Sequence, residues 1–531
     1  MTRPIQIKRK NSGKTPTRST DSQFSGDSNS TRGPQIRSKP PSKPSFSKNG
    51  QMNHKKGTFG PSVGIVQRAP DVVASPQVRF PAAWGWFFDE AVTAWVKNNY
   101  SPRDSWKGKA FTKEDSRFFF RGIDELSEIF TEERSRGIPA YFNHPKFRSA
   151  YLLYFFPLQA AKFVTIFQLH AKAFEAALEH GRREGEIRIA DLGAGPGTAS
   201  VAALLQLLQM ATSSGDDLPP IKLLWIDTNL SVMQDGKKLA EELISHFSRL
   251  RGKVEIELRT APWWKASSII TKPTSLMLLG HVLNESAGPE KPRKRRMENV
   301  DNPMGVQSSS RRSAQTGVQA PIGNEDTGEE LDTHLDDIGL DQKGIPEEYE
   351  SEFELPDENN ASWGSQWRKL FNRAGGGGTL FVEPASKQNS QFLSQLRDEF
   401  LENEVIEKDP SSIWGPCLHA ERCPLGDGRD WCHFSVPAKV PGMWFLEFSK
   451  ALGSERQWLK FSYLWIASQL KGEKRAPVQA SNLRRVVSDV LSPREGERVP
   501  SVILLCEPEV PGRLDVPRVN DLKRGDLVKL N

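Results

Sequence analysis

Cysteine is scarce in this chain: four in 531 residues, with none before Cys417. So few, so late, cannot form a disulfide framework along the chain, and a folded domain of this size does not need covalent staples. Long apolar runs are scarce as well. The closest, residues 151–169, is interrupted by Pro157, Gln159 and Lys162, which predicts a buried helix pair and no membrane span. No secretory leader is expected. Acidic residues are nearly missing from residues 1–60, where thirteen Lys and Arg face only Asp21 and Asp27. The formal charge of +6 is therefore a property of the tail, and the remainder of the chain is net acidic.

That tail is rich in Ser, Thr, Pro and Lys and poor in aliphatic residues, so residues 1–62 are expected to be disordered. Its basic charge suits a salt-sensitive arm on nucleic acid or a solubilising segment. A mitochondrial transit peptide is a further possibility. The insertion at 287–361 begins with the basic run at 291–296 and ends acidic. A structureless loop of that length inside a compact domain is read as disordered. Between these segments the chain divides into a helical domain (63–180), an α/β core (181–408) and a C-terminal region with a small β unit (409–531).

Helices are predicted over 81–100 and 112–134, the second opened by a capping box at Thr112 and Asp115. From residue 187 strands alternate with helical segments, at 187–190, 221–226, 254–258, 275–279 and 379–382. That alternation predicts a mostly parallel sheet covered on both faces. Between the first strand and its helix lies Asp191-Leu-Gly193-Ala-Gly195-Pro-Gly197-Thr198, where backbone must approach a ligand closely. Asp227 ends the next strand, in place to hold ribose hydroxyls. The spacing is that of motif I of class I S-adenosylmethionine (SAM) methyltransferases and differs from that of dinucleotide enzymes. The expected cofactor residues are Asp191, Gly193, Gly195, Gly197, Thr198 and Asp227.

Catalytic groups are not evident. After the fourth strand the chain reads Gly280-His-Val-Leu-Asn284-Glu285, with no Asp/Asn-Pro-Pro-aromatic motif to orient an amino nitrogen and no cysteine nucleophile. Asn284 and Glu285 are weak candidates at the carboxyl edge of the sheet, and a helix cap is an equal reading of them.

Three cysteines crowd into 417–432 and the fourth is Cys506. Four thiolates complete a ligand set for zinc or an iron-sulfur cluster. The irregular spacing of Cys417, Cys423, Cys432 and Cys506 leaves both open, with inert thiols and disulfides as other readings. His419 and His433 are possible substitutes in a zinc site.

Taken together, the motif at 151–157, the glycine loop, Val282-Leu-Asn-Glu285, Phe381-Val-Glu-Pro384, Cys423-Pro-Leu, Trp431-Cys-His-Phe434 and Leu504-Leu-Cys506 resemble one family. It is the methyltransferase-like small-ribosomal-subunit family, which includes a mitochondrial assembly factor and bacterial relatives predicted to methylate rRNA. The resemblance covers about residues 80–285 and 362–531. It implies a class I SAM-methyltransferase (Rossmann-like) core and a [4Fe-4S] cluster on Cys417, Cys423, Cys432 and Cys506. It also implies small-subunit rRNA and the small-subunit precursor as partners. The expected protein is an rRNA methyltransferase, a non-catalytic assembly factor on the same fold, or an iron-sulfur redox sensor. It is expected to be monomeric off the ribosome, free of membrane, and cytoplasmic, with the mitochondrial matrix as the alternative.

Overall fold

The computed structural model describes residues 71–73, 77–132, 141–285, 363–373, 378–406, 408, 410–426, 431–437, 439–453, 458–467, 483–489, 501–507, 512–516 and 522–529. The tail expected at 1–62 and the insertion expected at 287–361 lie outside the described residues.

After a short strand, β1 (Asp71–Val73), the chain is helical from Ala83 to Tyr100, with wide π turns over Trp86–Val92. The next helix, Lys113–Glu132, starts as its sequence dictates. Thr112 donates its backbone N–H to Asp115 at 2.7 Å, and the Asp115 N–H returns to Thr112 Oγ1 at 3.4 Å. The same carboxylate holds Lys97 Nζ at 2.5 Å, with both side chains almost wholly buried. This ion pair ties the first two helices together.

The apolar run does not make the helix pair expected from Pro157. Residues Pro145–Leu169 form one helix, long and apolar enough to pass for a membrane span, yet 89% of its apolar window is buried inside the protein. Pro157 does not break it because the preceding residues Tyr151–Phe155 are π-helical, so the chain is already bonded i to i−5 where proline withholds its N–H. The helix is the spine of the larger core: Phe156, Phe163, Val164 and Phe167 pack with Leu204 and Leu205 of the helix that follows the glycine loop.

A helix at Ala171–Arg183 leads into the sheet. Five parallel strands follow, β2 (Ile187–Leu192), β3 (Ile221–Asp227), β4 (Val254–Thr260), β5 (Leu276–Gly280) and β6 (Thr379–Glu383). The sheet is then extended by β7 (Ile413–Gly415), β8 (Phe434–Pro437) and β9 (Trp458–Ile466). Strand order is β4-β3-β2-β5-β6-β9-β7, with β9 antiparallel to both neighbours and β8 paired to its other end. This is a doubly wound Rossmann-like sheet with one antiparallel strand let in between the last two. It crosses the boundary expected at residue 408, because β9 and β7 are core strands. The order reverses between β2 and β5, and that switch point opens a crevice at the carboxyl ends of the strands.

The C-terminal β unit consists of a hairpin, β11 (Ser501–Leu505) with β12 (Gly512–Val516), and a three-stranded sheet. In that sheet β13 (Leu527–Lys529) lies between β1 and β10 (Leu483–Arg485). A bridge from Val486 to Leu505 joins the two pieces.

Candidate functional site: a glycine-loop cleft and a four-thiol site

At the switch point the chain leaves β2 through Gly193, Gly195 and Gly197, all with positive φ. A side chain at Gly193 would put its Cβ 1.8 Å from Val282 Cγ1, and one at Gly197 would strike the Trp225 ring at 2.1 Å. Gly195 differs, since a Cβ there meets only the Phe142 ring, at 3.5 Å. Two glycines thus close the loop against its own fold, and the third faces the cleft. Gly236, on the helix Leu230–His246, lets that helix touch the Pro196 backbone.

Two carboxylates bracket this loop. Asp191 accepts the Ser200 N–H at 2.9 Å at the start of the helix Thr198–Ser214, where the helix dipole favours negative charge. Burial nevertheless pushes its carboxyl up to about 7, with Asp227 adding to the rise. Asp227 accepts N–H groups from Gly195 and Asn229, each at 2.8 Å. Burial raises its carboxyl as well, against hydrogen bonds from the backbone of Asn229, Gly195 and Thr228.

Asp191, Gly193, Gly195, Thr198 and Asp227 all line one cleft, open at its mouth. Gly197 lies behind it, against Trp225. Tyr141, Phe142 and Tyr151 of the helical region form a wall over the loop, with Phe142 4.3 Å from Tyr141 and 5.0 Å from Tyr151 between ring centres. Asn229 Nδ2 donates to Asn143 Oδ1 at 2.8 Å and fastens the wall to the end of β3. Among the described residues the buried Gln159 Oε1 and Thr198 Oγ1, both on the cleft, have no hydrogen-bond partner. A polar ligand would satisfy them.

His281 was not anticipated. It lines the cleft directly after β5 with φ of 64°, a left-handed conformation rare outside glycine. Its N–H donates to Val382 O at 2.8 Å, and that bond holds it there. Its place after the strand at the switch point was the available signal. Asn284 and Glu285 sit on the single turn Val282–Glu285 that follows, and their side chains lie outside the described residues.

The second site lies at the far edge of the sheet. Cys417 follows β7, Cys432 precedes β8 and Cys506 follows β11, while Cys423 sits on the intervening loop. All four are free thiols. Cys506 packs with Cys423 and Cys432 around Leu425, Val487 and Leu504. Burial pushes the Cys423 thiol up to about 11, and Cys417 pushes it further. Cys432 and Cys506 rise more, first from burial and then from the other thiols. Each charged form repels the others, so a cation is what would let four thiolates coexist. As they stand, no three His, Cys, Asp or Glu side chains among the described residues are arranged to hold a metal ion.

His419 Nε2 lies 3.3 Å from Cys506 Sγ, and His433 Nδ1 lies 3.2 Å from Trp431 O. Burial and neighbouring arginines hold both imidazoles low, at about 4. His419 is thus beside the thiols, whereas His433 stacks on Trp431.

Comparison with curated protein sequences gives no match. Among solved structures, plantazolicin methyltransferase BpumL in complex with SAH is similar, with 13% identity over 33% of this chain and 52% of that one, at a TM-score of 0.16. This chain thus spans about half of that protein's length. A putative class I S-adenosylmethionine-dependent methyltransferase from Listeria monocytogenes is 9% identical over 69% of this chain and 92% of that one, with a TM-score of 0.24. An O-methyltransferase family protein from Burkholderia thailandensis is 10% identical over 68% and 75%, with a TM-score of 0.22. The model of one family, mitochondrial small ribosomal subunit Rsm22, matches residues 358–510. That stretch contains all four cysteines and excludes the glycine loop. Over residues 358–510 this chain is similar to the mitochondrial small ribosomal subunit Rsm22 family.

Proposed function

We propose that this protein is a SAM-binding, methyltransferase-like factor of the small ribosomal subunit that carries a [4Fe-4S] cluster on Cys417, Cys423, Cys432 and Cys506. The observation that carries the first half is the cleft at the switch point, where a glycine loop, the buried Asp191, the half-buried Asp227 and two polar atoms without partners among the described residues meet. In this reading Asp227 accepts from ribose hydroxyls with the lone pairs its backbone N–H partners leave free. Asp191 offsets the positive charge of the ligand, and Phe142 with Tyr151 offers aromatic faces to a planar ring. Bound SAM supplies an electrophilic methyl group. His281 is the nearest candidate to position an acceptor, with Asn284 and Glu285 on the turn behind it.

The ribosomal half rests on the family match over the cysteine segments. The family's description names mitochondria and the small ribosomal subunit, and on that support this reading places the chain in the mitochondrial matrix with small-subunit rRNA and its precursor particle as partners. The cluster is supported by the chemistry of four neighbouring thiols, which suits zinc as well. A non-catalytic assembly factor is the second reading, favoured by the lack of an amino-orienting motif after β5.

The test has three measurements on the full chain. Calorimetry should detect SAM binding. Anaerobically purified protein should be brown, with about four irons per chain, and Cys432→Ser should bleach it. Mapping methylated nucleotides of small-subunit rRNA with and without the protein separates enzyme from scaffold. Wild-type protein that ignores SAM would remove the cofactor reading, and colourless protein with stoichiometric zinc would remove the cluster.

A further inference from the structure

Three arginines are buried around the four cysteines: Arg397, Arg485 and Arg524, each no more than 8% exposed. Each grips the backbone beside a cysteine. Arg485 Nε donates to Pro416 O, the carbonyl immediately before Cys417, at 2.9 Å. Its own carbonyl accepts the Cys506 N–H at 2.8 Å, so one residue joins two distant cysteine segments. Arg524 Nη1 donates to Trp431 O, immediately before Cys432, at 2.9 Å. Arg397 Nη2 donates to His419 O at 2.6 Å and pairs with Asp398, whose carboxylate accepts the Cys423 N–H at 2.9 and 3.0 Å.

Their charge is undercompensated for buried guanidiniums. Among the described residues Arg485 has no carboxylate partner; its other contacts are Gly525 O and the Phe434 ring. Arg524 reaches only the exposed Asp489, at 4.0 Å. Among the described residues the buried Nε groups of Arg397 and Arg524 have no hydrogen-bond acceptor. Among the described residues Asp398 is thus the one buried carboxylate paired with the three. A buried guanidinium without a counter-charge is strongly destabilising, and four thiolates on a dication supply a net charge of about −2 at this spot.

We propose that Arg397, Arg485 and Arg524 are positioning residues of the cysteine site, forming a cradle that fixes the three cysteine loops through their carbonyls and balances the charge of a thiolate-bound metal centre. The inference rests on the cluster reading above. Arginine suits the role because its planar fork can hold a carbonyl with one N–H and face an anionic sulfur with another. In the cluster form, one electron from a reductant takes the tetrathiolate [4Fe-4S] centre from net −2 to net −3, and the guanidiniums favour the more negative state.

The experiment compares wild-type full-length protein with Arg485→Gln, Arg485→Lys and Arg524→Gln, all purified anaerobically. Iron and sulfide content, the lifetime of visible absorbance in air, and the midpoint in a dithionite titration followed by electron paramagnetic resonance are read together. Thermal melts verify the fold. Both Gln variants should bleach about tenfold faster or more, and their midpoints should move to more negative potential. Arg485→Lys should keep the midpoint near wild type while still bleaching faster, since the charge stays and the bridge to Pro416 is lost. A folded Arg524→Gln protein keeps the test open if Arg485→Gln does not fold. Wild-type lifetime and midpoint in both Gln variants would overturn the cradle and leave the cluster standing. If the wild type carries zinc, chelator competition replaces the redox readout, and equal retention in all variants overturns the cradle. Wild-type protein with no metal would overturn the cluster reading and the cradle together.

Discussion

Gly195 donates its backbone N–H to Asp227 at 2.8 Å, so the middle of the glycine loop is fastened to the end of the neighbouring strand. One carboxylate therefore shapes the loop and faces the cleft that the loop creates.

Substitutions in the loop should separate binding from folding. A Cβ added at Gly195 meets only the Phe142 ring, and the left-handed φ of Gly195→Val costs about 1–2 kcal/mol. It should fold and lose SAM binding. Gly197→Ala drives a methyl into Trp225 and should lose much of its stability. Asp227→Ala should weaken SAM binding by about 1–3 kcal/mol. Calorimetry paired with thermal melts reads both effects, and a Gly195→Val protein that binds SAM normally would rule out this cleft.

The raised carboxyl of Asp191 has a pH signature. Its folded value of about 7 lies above the ordinary 3.8, so between those values the native state holds the proton more tightly than the unfolded chain. Its contribution to stability is fully present below about pH 4 and is lost as pH rises to about 7. Asp191→Asn should therefore gain on the wild type as pH rises through that window. Urea melts from pH 4 to 8 measure the difference, and a constant difference would contradict it.

The Lys97–Asp115 pair is deeply buried. Lys97→Met leaves a carboxylate whose other partners are the Thr112 N–H and hydroxyl, and should destabilise by about 3–5 kcal/mol. Replacing both, as Lys97→Met with Asp115→Leu, should recover part of that loss. Denaturant melts of the single and double variants measure the coupling.

The basic tail gives a prediction for partners. Each phosphate contact contributes about 0.9 to the logarithmic salt slope on duplex and about 0.7 on single strands. Removing residues 1–60, with their thirteen basic side chains, should flatten the salt dependence of rRNA binding and preserve preference for small-subunit RNA. Co-sedimentation with small-subunit precursors across a salt series tests it. Loss of all selectivity would move recognition into the tail.

Several elements were legible because their signals are local. The glycine loop, the alternation from Ile187 to Val382 and the cap at Thr112 each depend on residues a few positions apart. The strands β7 and β9 were not legible as core strands. A three-residue strand has no periodicity to read, and β9 is apolar nearly throughout because both of its faces are covered. Pro157 misled for a related reason, since a π turn before it is invisible in the residue pattern.

The sequence by itself determined the parallel core, the acid-flanked glycine loop and the four candidate ligands, because backbone strain, hydrophobic period and thiol chemistry belong to individual residues. The tertiary structure decided what those residues face. Only the fold puts Phe142 over Gly195, sets His281 left-handed at the cleft, and buries three arginines against carbonyls beside cysteines. Those pairings join residues tens to hundreds of positions apart, and which of them form depends on strand order and packing, which no local pattern encodes.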